Sequence, residues 1–157
     1  MRTMFSGLAA ATLCVLASAS SAQTGRLVLD EAPLDEARDF PRERLARYFE
    51  QMKSEQIGVI RLLEGGLYNV NIRHVENATP DNYRTEIHED TIDVWVIQEG
   101  SGTLVTGGER IDGKHRGGTE RPVKVGDVIF IPAGIHHGMK ETTSITWLNI
   151  RFPEHRN

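Results

Sequence analysis

GDVIFIPAGIHH, residues 126–137, is the stretch whose reading decides the fold. Gly126 opens it. Asp127 to Pro132 reads as a β-strand, because β-branched and aromatic side chains suit a pleated surface. Pro132 ends the strand, since proline cannot donate to a ladder. Gly134 permits a sharp turn. His137 then enters on a new segment. A strand, a stop, a turn and a histidine at fixed spacing make a unit that can deliver one imidazole into an interior.

Working back along the chain, a second unit precedes it: Glu86-x-His88-x4-Asp93-x6-Gly100. Tyr83 to His88 and Ile92 to Gln98 each read as strands. Side chains on a strand repeat every two residues, so Glu86 and His88 share a face. A hairpin turning at Asp90-Thr91 places His88 opposite Asp93. Facing residues in an antiparallel pair lie about 4.5–5.5 Å apart at Cβ, which suits two ligands of one ion. Glu86, His88, Asp93 and His137 together form a mixed nitrogen–oxygen donor set. Manganese, iron(II), nickel and zinc all accept such ligands, so the expected cofactor is one divalent transition metal ion.

The two units together resemble the paired motifs of the cupin superfamily. The second unit matches the glycine–proline–glycine–histidine pattern at every spacing, with Glu141 where the family's trailing asparagine stands. The first unit has Glu86 where the family has histidine, Asp93 where it has glutamate, and Pro80 in place of its opening glycine. The resemblance implies an all-β fold, a cupin double-stranded β-helix or jelly-roll barrel. It implies His88, Asp93 and His137, with Glu86, as metal ligands. It also implies chemistry on a small oxygen-bearing substrate, of the dioxygenase, decarboxylase, lyase or isomerase type. Two other classes stay open: a barrel that binds a small ligand without turnover, and a metal-free structural barrel that works through dimerisation. Fold alone does not choose among them.

The rest of the chain divides around this barrel, which spans residues 57–153. Residues 1–22 read as a signal peptide. Arg2 gives a positive start, an apolar run extends from Met4 to Leu16, and Ser20-Ser21-Ala22 fits cleavage before Gln23. Leu13 before Cys14 argues against lipidation. Cleavage removes Arg2 and the only cysteine, moving the formal charge from −4 to −5. The expected location is therefore periplasmic or secreted, without a disulfide. The mild acidity argues against nucleic acid and against an anionic membrane as partners. Residues 23–56 form an arm and a helix, and residues 154–157 a tail. Arg26 to Leu29 offers an edge strand. Asp39 is the expected N-cap, and Leu45, Tyr48, Phe49 and Met52 make a one-sided apolar stripe. The stripe suits packing on the barrel, or alternatively a contact in the expected homodimer.

Ile57 to Leu63 and Leu67 to Val75 flank a glycine turn. Gly100 to Gly102 turns the chain, and Gly107 to Gly118 reads as an exposed loop. Ser144 to Phe152 closes the barrel. Arg84 shares the face of Glu86 and His88, where it either meets a carboxylate substrate or pairs with Glu86. Trp95 shares the face of Asp93, as a barrel wall or a substrate contact. Asn149 and Arg151 share one face of the last strand, inward or outward. His136 points away from His137, and His74, His115 and His155 have no partner at ligand spacing.

Overall fold

The computed structural model describes residues 25–29, 35–66 and 68–154. Residues 1–22, expected to be a signal peptide, and His155 lie outside them. In chain order the elements are β1 (Gly25–Val28), α1 (Arg42–Glu55), β2 (Ile57–Gly65), β3 (Tyr68–Ala78), β4 (Thr85–Glu86), β5 (Thr91–Thr106), β6 (Glu109–Ile111), β7 (Lys114–Arg116), β8 (Thr119–Lys124), β9 (Val128–Ile131), β10 (His137–Lys140) and β11 (Thr142–Pro153). Among the described residues the fold is all-β with one helix. Its main sheet runs β1-β2-β3-β11-β5-β10-β4, with β8 and β9 also paired to β5, and it curls on itself.

Alternation along the strands sorts the two faces. Trp95 and Ile97 of β5, Ile145 and Trp147 of β11, and Ile129 and Ile131 of β9 fill the interior with Leu104 and Met139. A second core lies outside the sheet, where Leu45, Phe49 and Met52 of α1 pack on Ile60, Leu62 and Ile72. Burying such a side chain contributes about 1.5–3 kcal/mol. The helical stripe is thus spent on the barrel. Pro41, not Asp39, is the N-cap of the helix, with no side-chain cap bond. Proline suits this place because its missing N–H falls where a helix has no acceptor to offer. The arm adds β1 in parallel to the edge strand β2, as Arg26 to Leu29 suggested.

Three local expectations are corrected. The segment Tyr83 to His88 holds only the two-residue strand β4, and it pairs with β10, not with β5. No hairpin forms at Asp90-Thr91. The reason is competition: Asp93 already faces Ile131 of β9 on one edge and Arg151 of β11 on the other, so β5 has no edge left there. Next, Gly100 to Gly102 does not end a strand. β5 runs through sixteen residues, serving β9 and β11 in its first part and β8 and β10 in its second. Gly100 bends it at φ +73, and a Cβ there would stand 2.0 Å from the Ser144 carbonyl oxygen, so only glycine fits. Finally, the 107–118 loop carries the small hairpin of β6 and β7.

Candidate metal centre

Glu86 and His137 face each other across the β4–β10 pair. His88 follows Glu86 by two residues, and its carbonyl accepts the Gly134 N–H at 2.8 Å. That bond ties the first motif to the turn of the second. One donor atom from each of Glu86, His88 and His137 lies within 4.8 Å of the others, a possible metal site. The His88 and His137 rings stand 5.3 Å apart, tilted.

Hydrogen-bond logic assigns one nitrogen of each imidazole. His137 Nδ1 is 2.8 Å from the Ile135 carbonyl. A carbonyl only accepts, so Nδ1 carries the proton and Nε2 of the neutral ring a lone pair. His137 is buried, and its Nε2 has no hydrogen-bond partner. His88 Nε2 lies 2.6 Å from Nη2 of Arg151. A guanidinium only donates, so His88 Nε2 is also a lone pair. Both histidines therefore offer the nitrogen form that ligates metal, and with a carboxylate they fit a divalent transition ion.

Asp93 stands beside this group and is bound differently. Arg151 grips it as a fork, Nε to Oδ1 at 2.6 Å and Nη2 to Oδ2 at 3.0 Å. His137 Nε2 is 3.4 Å and His88 Nε2 3.7 Å from Asp93 Oδ2. Burial disfavours the Asp93 anion, but the Arg151 fork outweighs it and holds the carboxyl well below its usual range. Burial likewise opposes ionisation of Glu86, yet the charge of Arg73 and its bond to the carboxylate hold it well below its usual range. Arg73 of β3 pairs with Glu86. Of the two alternatives for Arg84, pairing with Glu86 is not the one seen; Arg73 takes that place.

Glu86, His137, Arg73 and Arg84 line a cavity of about 430 Å³ with Trp95 and Trp147. Trp95 is buried, meets His137 edge-on at 5.4 Å and tilts against Trp147 at 4.7 Å, so it forms wall. Arg84 is exposed at the same cavity. Asn149 is buried, and its Nδ2 lies 3.4 Å from Asp93 Oδ2, so the Asn149–Arg151 face points inward. His136 is absent from the donor group, as expected. His74 bonds Thr146 and Glu76, and His115 bonds Tyr83.

Comparison with known proteins bears on the fold. No family model and no curated protein matches the chain. Solved structures do. BH2720 of Bacillus halodurans is 22% identical, over 69% of this chain and 79% of that one, at a TM-score of 0.51. The cupin domain of Cnp3 from Schizosaccharomyces pombe is 9% identical over 61% and 64%, at 0.48. A predicted oxalate decarboxylase of Thermotoga maritima is 15% identical over 66% and 74%, at 0.42.

The chain has the cupin fold.

The centre differs from the sequence expectation in its cations. Arg73 and Arg151 were not read as parts of the centre, although each carboxylate is matched by one of them. The available signal was parity. Asn69, Asn71 and Arg73 alternate along β3 as Asn149 and Arg151 do along β11, which marks a polar stripe inside an otherwise apolar barrel.

Proposed function

We propose that this cupin binds one divalent transition ion through Glu86, His88 and His137 and receives a small, anionic, oxygen-bearing ligand in the adjoining cavity. The observation that carries this reading is the buried, partnerless Nε2 of His137, its tautomer fixed by the Ile135 carbonyl. That lone pair faces the Asp93 carboxylate at 3.4 Å with no donor to satisfy it, which is costly, and an ion relieves that cost. Asp93 is assigned a different role from the one its motif position implied. Its oxygens belong to Arg151, so it orients the interior rather than serving as first ligand.

Bound there, the ion supplies Lewis-acid polarisation of a substrate oxygen. The protein's own groups do the rest. Trp95 and Trp147 keep water from one side. Arg84, for which no ion pair is found among the described residues, offers its fork to a carboxylate. The reaction class is of the dioxygenase, decarboxylase, lyase or isomerase kind. One observation favours a second reading, a ligand-binding barrel without metal or turnover: Arg73 and Arg151 already neutralise both carboxylates.

Elemental analysis of purified wild type beside His137→Ala and His88→Ala separates the two. About one ion per chain, lost in both variants, is expected. Equal metal content in all three sinks the metal reading. Two further proposals accompany it. The chain is exported and begins at Gln23 after cleavage, resting on the sequence alone, and intact mass of the secreted species tests it. It also forms a homodimer, supported by Val128, Phe130, Ile150 and Phe152, which stay exposed on the outer sheet face. A monomer by light scattering at micromolar concentration removes the dimer.

A further inference from the structure

We propose that Arg151 competes with the metal ion for His88, so that removing its charge tightens metal binding. This rests on the ligand set proposed above. It begins from the atom Arg151 occupies. Nη2 of Arg151 donates to His88 Nε2 at 2.6 Å, and that lone pair is the one an ion needs. A nitrogen lone pair serves one acceptor bond at a time, so metal and guanidinium exclude each other at His88.

The guanidinium cannot yield by losing a proton, because arginine stays charged wherever the protein folds. It must move. Its plane is set by the two-point grip on Asp93, and Arg151 faces Asp93 directly across the β11–β5 ladder. Sliding off His88 therefore strains the fork. Charge acts in the same direction. Glu86 and Asp93 are balanced by Arg73 and Arg151, so the centre is neutral in this arrangement. A dication arriving beside an undisplaced guanidinium meets repulsion in a buried setting, where charges are poorly screened. Arg151 is thus a positioning residue for Asp93 and a resident competitor at His88. The same geometry makes an anionic ligand useful to the ion, since it would take up the displaced cation.

The test is Co2+ titration of the metal-stripped full chain, read by visible absorption, with thermal melting to confirm folding. Arg151→Met removes the competitor but leaves Asp93 buried without its partner, and that variant can fail to fold. Arg151→Met with Asp93→Asn removes both members of the pair. Replacing a buried ion pair by neutral groups is often tolerated. The double variant also leaves the local formal charge unchanged, so any gain reports the release of His88. It should bind Co2+ about 10–100-fold more tightly than wild type, the scale of supporting partners around metal ligands. Adding His137→Ala to it should abolish that binding. Affinity equal to or weaker than wild type in the folded double variant overturns the competition while leaving the metal reading intact. Tight binding that survives His137→Ala also overturns it, because the ion then sits elsewhere. Failure of wild type and folded double variant alike to bind Co2+ overturns the ligand set itself.

Discussion

The two motif halves reach the same centre by different means. The second half stands on regular structure: β9, a proline stop, a glycine turn and β10, with His137 only 3% exposed. The first half stands on a two-residue strand and a bend. The side chain of Glu86 there is 43% exposed and that of His88 23%. The half that matched the family pattern at every spacing is the half whose backbone dictates its residues. The half that departed from the pattern is held by side chains from other strands, Arg73 and Arg151. Residue types are strictly dictated where backbone geometry demands them, and are free to change where a distant partner can compensate.

The largest expected effect tests the rigid half. His137→Ala should lose metal by more than the roughly 10–100-fold typical of a supporting residue, as measured by titration calorimetry on stripped protein, with little change in melting temperature. If His88→Ala costs more than His137→Ala, the flexible half leads and the comparison inverts.

Next come the two carboxylates, which should separate metal from stability. Asp93→Ala leaves the largely enclosed Arg151 without its carboxylate, so it should destabilise by about 3 kcal/mol, read by denaturant unfolding. Glu86→Ala should cost little stability, since its side chain is half in water, yet weaken metal binding clearly. Strong metal loss with Asp93→Ala at unchanged stability would restore Asp93 to the ligand set.

Acid should act in two stages. Ligand imidazoles must be neutral, so protonation releases the ion first. The carboxylates follow. Glu86 and Asp93 both titrate below their ordinary 4.5 and 3.8. A depressed carboxyl contributes stability above its unfolded value and loses it as pH falls through the folded one. Melting temperature should therefore decline below about pH 4, and Asp93→Asn should flatten that decline. A wild-type profile flat to pH 2 would mean the Arg151 fork contributes nothing.

The smallest effect is expected from Arg84→Ala. Metal affinity should stay within about twofold, because the arginine lines the cavity without touching the donors, while affinity for small carboxylates such as malonate should fall about tenfold, the worth of one charged hydrogen bond. Loss of metal affinity instead would place Arg84 in the centre.

What was legible in the sequence follows the same division. Strands, the outer helix, the β1 edge and the inward His137 came from periodicity and from Gly126, Pro132 and Gly134. The proposed hairpin failed because local pattern says nothing about which edges of β5 are already taken by β9 and β11. Residue spacing placed His88 opposite Asp93, whereas the ladder placed Glu86 opposite His137. Arg73 and Arg151 stayed hidden because they lie 13 and 63 residues from Glu86 and His88, and no local rule spans such distances.

The brevity of β4 has a kinetic meaning. Through its backbone, the segment that carries two of the three candidate donors is tied by two residue pairs with β10 and the Gly134–His88 bond, with Arg73 and Arg151 adding only side-chain ties. Such a short edge can open locally at a small fraction of the cost of global unfolding. Its amides should exchange with solvent far sooner than those of β5 or β11. For the proposed ion this gives a way in and out that need not disturb the barrel, and its residence time would become a property of one short strand rather than of the whole protein.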